Sequence, residues 1–434
     1  MMRVSTSGAV RRFAVLSALC LAAACGDVDE PSGDLEADSE AADDESGDDA
    51  DDQDATTGAD DSNDTAPADD GSSDGGDEPE PEPEPEDTGD EVEQTGLVLT
   101  IANAEGLNEV VAFTREADGR LVSLGSFLTG GMGTGGGLGS QSALAIADDL
   151  LYVVNPGDDT VSSLRIYDDH LALVDIVSTE GTRPTSLSVG DGRLYVLNAD
   201  GAGSVMGFSL DEGMMTPIAG AARPLSGHEA PAPAQVGLSP QGDVLVVTER
   251  ATDQILTYAV EEDGSLGEPV VNPSSGQTPF GFQFAADGSF VVSEAFGGGA
   301  NPGASASSSY RVADGGGLWT FSASVPNGQT GACWVQIVDD RFAYTTNTAS
   351  NTLSGYDLAA SRELALFPGG GVAYDFGDEH GPIDMTVSTD QRYLYVLNAR
   401  ADEIATFVVE DDGALTELGD AVAIPETAVG LIGY

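Results

Sequence analysis

The amino-acid sequence predicts an all-β fold: a seven-bladed β-propeller of four-stranded antiparallel blades over residues 94–434. Three observations predict it. A strand motif recurs seven times at a near-constant interval, no helical period appears past residue 94, and the last residues supply the one strand that the first repeat lacks.

The motif is an apolar strand closing on Asn or Glu, then a polar turn, a second strand and a turn of the Asp-Gly type. Its closing residues are Asn103, Asn155, Asn198, Glu249, Glu294, Asn347 and Asn398, at successive spacings of 52, 43, 51, 45, 53 and 51. Short apolar runs bounded by Gly, Asp and Asn read as buried strands. Repeats of about 50 residues are the signature of propeller blades. Later copies are preceded by their own inner strand, as at 185–189, 235–238 and 383–387. The first copy has none, because Gly96 follows directly on an acidic stretch. Residues 427–434 are therefore expected to complete blade 1, closing the ring without a free sheet edge.

Ahead of the repeats lie two further zones. Residues 1–24 carry Arg3, Arg11 and Arg12 before an apolar run over 13–24. That run is short of the roughly 20 residues a spanning helix needs and reads as a secretory signal. It ends Leu21-Ala22-Ala23-Ala24 before Cys25, which resembles the lipobox of bacterial lipoproteins, with Ala22 in place of the usual leucine. The resemblance implies lipidation at Cys25 and a protein anchored to a membrane without spanning it. It would sit in the cell envelope, facing the periplasm or the cell exterior. Residues 25–93 are expected to be a disordered tether: 26–93 hold 31 acidic residues and no Arg or Lys, so there is much self-repulsion and little to pack.

Charge excludes several functions. After the signal and tether, 44 acidic residues remain against 12 arginines, a net charge near −32, and the whole chain contains no lysine. That field repels nucleic acid, anionic lipid headgroups and phosphorylated metabolites. A P-loop cannot be built without lysine. The run from Gly131 to Gly136 matches Gly-x-Gly-x-x-Gly on paper, but no helix is expected after it. No Gly-x-Ser-x-Gly elbow occurs, and three scattered histidines have no zinc-ligand spacing. No cofactor and no dedicated metal site are expected, loose calcium binding by acidic loops being the one alternative left open, and the protein is expected to be a monomer.

The domain resembles the seven-bladed lactonase family, which includes a bacterial type of 6-phosphogluconolactonase and fungal carboxymuconate-lactonizing enzymes. The resemblance covers essentially all of 96–434. It is carried by the Asp-Gly turns at Asp263-Gly264 and Asp412-Gly413, and by Ser239-Pro240-Gln241-Gly242, similar to the family's Ser-Pro-Asp-Gly. The segments 329–334 and 292–296 also resemble its secreted members. It implies a propeller acting on a lactone-like small molecule. One departure stands out: where the family's enzymes carry Pro-His at the start of an inner strand, this chain has Pro233-Ala234.

In a propeller the loops entering the inner strands share a face with the turns after the second strands. Asn suits such a turn, since its side chain mimics a backbone hydrogen-bonding group. Glu249 and Glu294 break the series in adjacent blades and put carboxylates on one sector. Arg183, His228, Gln235, Trp334 and His380 fall on the same face, as does Cys333, which reads as a small buried apolar residue. Lactone hydrolysis needs a base for water and donors for the oxyanion. Glu249 or Glu294 is the candidate base, His228 or His380 the proton shuttle, and Arg250 or Arg183 the oxyanion partner. Gln235, Trp334 and His380 are candidate ligand contacts. The other reading is a non-catalytic propeller presenting this face to a protein partner or ligand at the cell surface.

Overall fold

In a computed structural model, residues 94–419 and 421–434 form seven four- or five-stranded antiparallel sheets. The signal, Cys25 and the acidic tether lie outside the described residues. Among the described residues the one helical element is a 3-10 turn at Gly298–Ala300, and no helix is long and apolar enough to cross a membrane.

Each blade runs from an inner strand outwards. The inner strands of blades 2 to 7 are Leu144–Ala147, Pro184–Gly190, Pro233–Leu238, Pro279–Phe284, Ala332–Val338 and Pro382–Val387. The second strands end on the seven motif residues or just before them, from Gln94–Ile101 in blade 1 to Tyr393–Asn398 in blade 7. They read as unbroken apolar runs because neighbouring blades cover both faces: Leu194 to Leu197 are all fully buried. Outer strands such as Leu171–Ser178 have solvent on one side and alternate between half-buried and exposed.

Blade 1 is completed as the sequence predicts. The C-terminal strand Val429–Gly433 pairs antiparallel with Gln94–Ile101. Leu97 and Tyr434 exchange two backbone hydrogen bonds of 3.1 and 2.8 Å. The hydroxyl of Thr100 donates to the Val429 carbonyl (3.2 Å) and that of Thr427 to the Ala102 carbonyl (2.6 Å). Gly96 permits the approach: a Cβ there would lie 2.3 Å from the Tyr434 carbonyl oxygen.

Asp-Gly turns pair with tyrosines on the second strands of the neighbouring blade. The Tyr195, Tyr344 and Tyr395 hydroxyls, each on a second strand, donate to the carbonyls of Gly264, Gly413 and Gly119 in the next blade. These glycines have φ of 82–91°, a left-handed backbone that L side chains resist. The turn thereby presents its carbonyl to a buried phenol, which would otherwise lack a partner.

Candidate functional site

The inner strands of blades 3 to 7 share an irregularity at their first residues. Register slips between Pro184 and Ser186, Pro233 and Gln235, Pro279 and Phe282, Ala332 and Val335, and Pro382 and Met385. Such bulges re-aim side chains. Here they mark the strand starts that hold Gln235, Trp334 and Asp384.

The connection from blade 1 to blade 2 carries the glycine-rich run and enters the space between the inner strands. The Ser140 hydroxyl donates to the Thr185 carbonyl of blade 3 (2.7 Å), and the Gln141 amide N–H to the Ala234 carbonyl of blade 4 (3.0 Å). The Gln141 carboxamide pairs with both backbone groups of Val335 in blade 6, at 2.8 and 3.0 Å. Gln235 ties in from the side, its Nε2 donating to the Ser142 hydroxyl and its Oε1 accepting from the Phe282 N–H. Residues 140–142 thus join blades 3, 4 and 6 around the axis. Gly135 and Gly139 of this connection have φ of 75° and 62°, a backbone that L side chains resist.

Beside this connection is a cavity of about 840 Å³, bounded by 135–140, Trp334 of blade 6, and segments of blades 7 and 1. Its deepest ionisable group is Asp384, 3 % exposed. One carboxylate oxygen accepts from the Gly430 N–H at 3.0 Å. Burial nevertheless pushes the carboxyl up to about 7, outweighing the hydrogen bonds that favour its charged form. Trp334 stands beside it, with Nε1 donating to the Ser140 carbonyl at 2.9 Å and its ring 4.9 Å from that of Phe280. The Arg250 guanidinium lies 5.3 Å from the Phe280 ring centre, and its Nε donates to the Ala232 carbonyl. Burial, then the nearby Arg183 charge, push Arg250 down to about 10. Its Nη atoms border Gly139, itself a cavity residue. Arg250, Phe280, Trp334 and Asp384 therefore follow one another through blades 4, 5, 6 and 7.

Glu249 and Glu294 are placed differently. Both are fully buried and neither lines this cavity. Glu294 accepts from the Gly276 N–H at 2.8 Å and from the Ser308 hydroxyl. Asn155 in blade 2 lies likewise beneath Gly131, in the last strand of blade 1, and Asn198 in blade 3 beneath Gly181, in the connection arriving from blade 2. Burial pushes the Glu294 carboxyl up, against the hydrogen bonds from Ser308 and its neighbours. Glu249 accepts from the Ser226 N–H (3.0 Å) and the Thr252 hydroxyl (2.6 Å). The two glutamates clamp the connections arriving from the preceding blades, at Ser226 and Gly276.

His228 is exposed and lines a separate pocket of about 460 Å³ with Ser226, Thr252 and Gln254. Glu249 lies behind that pocket, bonded to two of its walls. His380 stacks on Phe376 at 5.7 Å, with Nδ1 2.9 Å from the Asp378 carbonyl oxygen. Arg183 pairs with Asp200 at 3.5 Å. Of the expected residues, then, Trp334 lines the large cavity and Arg250 borders it, His228 lines the small pocket with Glu249 buried behind it, and Glu294 stands with neither. Asp384 was not singled out from the sequence. Its signal was there: it is the sole acidic residue among the first three positions of the inner strands of blades 2 to 7.

A model of the family described as "Lactonase, 7-bladed beta-propeller" matches residues 203–295. The chain is similar to the seven-bladed lactonases. Among solved structures, a putative 6-phosphogluconolactonase from Bacteroides fragilis superposes with a TM-score of 0.62 at 17 % identity, over 81 % of this chain and 100 % of that one. The periplasmic gluconolactonase of Pseudomonas aeruginosa gives 0.61 at 18 %, over 78 % and 98 %. A protein from Lactobacillus plantarum gives 0.63 at 20 %, over 79 % and 100 %. No curated protein matches the chain. At these identities the structural matches speak for the fold.

Proposed function

We propose that the propeller hydrolyses a lactone or similar small ester in the 840 Å³ cavity, with Asp384 as general base. The observation that carries this reading is a buried carboxyl facing a ligand-sized cavity and poised near neutrality, where a general base works best. Ionised Asp384 takes a proton from water as the water oxygen bonds to the lactone carbonyl carbon. The ring C–O bond then breaks, and the departing alkoxide takes the proton back. Gly136 and Gly137 line the cavity with open space around their Cα atoms, so a substrate can approach their backbone. Their amides, together with the Arg250 guanidinium that borders Gly139, are the donors we assign to the oxyanion. A lactonase-type family match and a periplasmic gluconolactonase of like fold support the class of reaction.

The test is hydrolysis of a panel of neutral γ- and δ-lactones by wild type and Asp384→Asn. Wild-type kcat/KM should rise with pH through about 7, as the base loses its proton, and the variant should lose at least 100-fold. Equal rates for the two proteins would refute the assignment.

A second reading, a binding propeller without turnover, draws on Ala234 at the family's histidine position and on the burial of Glu249 and Glu294 in clamps. It would be favoured by ligand binding without hydrolysis in the same panel. On either reading we place the protein outside the cytoplasm as a monomer held by lipid at Cys25. Cys25→Ser should shift it from the membrane to the soluble fraction, and unchanged fractionation would count against the anchor.

A further inference from the structure

The large cavity has an unbalanced electrostatic lining. Asp384 lies deep, and Asp378, Glu379, Asp402 and Glu426 also border the cavity, against a single lining arginine, Arg400. Arg400 is turned to other work, with Nη1 donating to Asn351 Oδ1 at 3.2 Å. Even with Arg250 behind Gly139 included, carboxylates outnumber arginines five to two. Asp402 and Glu426 are close enough for the Glu426 charge to add to burial in pushing the Asp402 carboxyl up. Between these acids stand apolar side chains, with Trp334 joined by Leu138, Ile383 and Val429.

Carboxylates set around an apolar and aromatic wall suit one ligand chemistry above others. An organic ammonium balances the charge, while its alkyl groups lose water against the wall and its charge is drawn to the indole. A phosphate or carboxylate needs the reverse, a fork of arginine donors that the acids do not already oppose. We propose that this cavity is selective for small molecules bearing an organic ammonium group and disfavours phosphorylated or carboxylated ones. The inference rests on the cavity assigned above as the site, though binding of such a group requires no turnover there. It gives the proposed hydrolase a substrate class: an amino- or trimethylammonio-substituted lactone or ester.

Three probes of one shape and different charge test it. Choline, 3,3-dimethylbutanol and 3,3-dimethylbutanoate are titrated calorimetrically into the full-length mature protein at pH 8 and low ionic strength. Choline should bind at least tenfold more tightly than the uncharged alcohol, and the carboxylate more weakly still. Added salt should narrow the gap, because screening weakens charge selection. The Asp402→Asn, Glu426→Gln double variant, checked for an unchanged melting transition, should lose most of the choline preference and keep its affinity for the alcohol. Equal affinities for choline and the alcohol, tighter carboxylate binding, or no binding by any probe would overturn the proposal. Hydrolysis of uncharged lactones, measured on the same preparation, separates the two claims. Charge-blind turnover sinks the selectivity and leaves the hydrolase, whereas choline selectivity without turnover does the opposite.

Discussion

Glu294 and Asp384 are both buried carboxyl groups near the ends of propeller strands, and burial raises the pKa of both. Their surroundings divide them. Glu294 closes a second strand and is enclosed between its own blade and the connection arriving from blade 4, with Ser308 and Gly276 as donors. Asp384 begins an inner strand, has the Gly430 amide on one oxygen, and borders open volume. A raised pKa by itself thus does not identify a site; a raised pKa beside a space that a ligand can enter does.

Activity provides the sharpest way to break that comparison. Asp384→Asn should lower kcat/KM by at least 100-fold, while Glu249→Gln with Glu294→Gln should leave it within about threefold. A double variant as dead as Asp384→Asn would return catalysis to the clamps.

Stability against pH comes next. The Asp384 carboxyl titrates at 3.8 when unfolded and at about 7 when folded. Between those values the folded state holds a proton that the unfolded state has released, so stability falls as pH rises from 4 to 7. The full cost above pH 7 is on the order of 4 kcal/mol. Asp384→Asn should therefore be more stable than wild type at pH 8 by denaturant unfolding, and the advantage should vanish near pH 3.5. Glu294 obeys the same sign, so Glu294→Gln should also gain relative to wild type as pH rises. Glu294→Ala removes the acceptor and strands the Gly276 N–H, for a loss of about 1–3 kcal/mol at low pH. The smallest effect belongs to Trp334→Phe, which keeps the wall and drops the bond to the Ser140 carbonyl. About 1 kcal/mol of stability should go, with KM changing more than kcat.

Much of the fold could be read in the sequence because it repeats. The seven closing residues fixed blade number and phase, and the missing strand before Gly96 pointed to the C-terminus. The site was harder to read because it lies where the repeat is broken in three dimensions. The glycine-rich run at 131–136 looks like a loop between blades, and nothing local says that Ser140 and Gln141 reach blades 3, 4 and 6. The same holds for the neighbours of Asp384, since Trp334 is 50 residues away and Gly430 is 46. Along the chain, the repeat departs from itself instead at Glu249 and Glu294. There the longer carboxylate side chains reach the N–H groups of the arriving connections at Ser226 and Gly276.

Closure of blade 1 also sets an order of events. The hydroxyl of Thr100 meets the Val429 carbonyl across 329 residues, and Leu97 meets the final residue, Tyr434. A ring fastened this way cannot be completed until the last few residues are available, whatever the preceding blades have done. Loop closure over such a span must precede the reward of pairing, which makes the final step slow and leaves the edge of blade 1 open to other strands in the meantime. Blade 1 therefore stays incomplete until the strand Val429–Gly433 has been made.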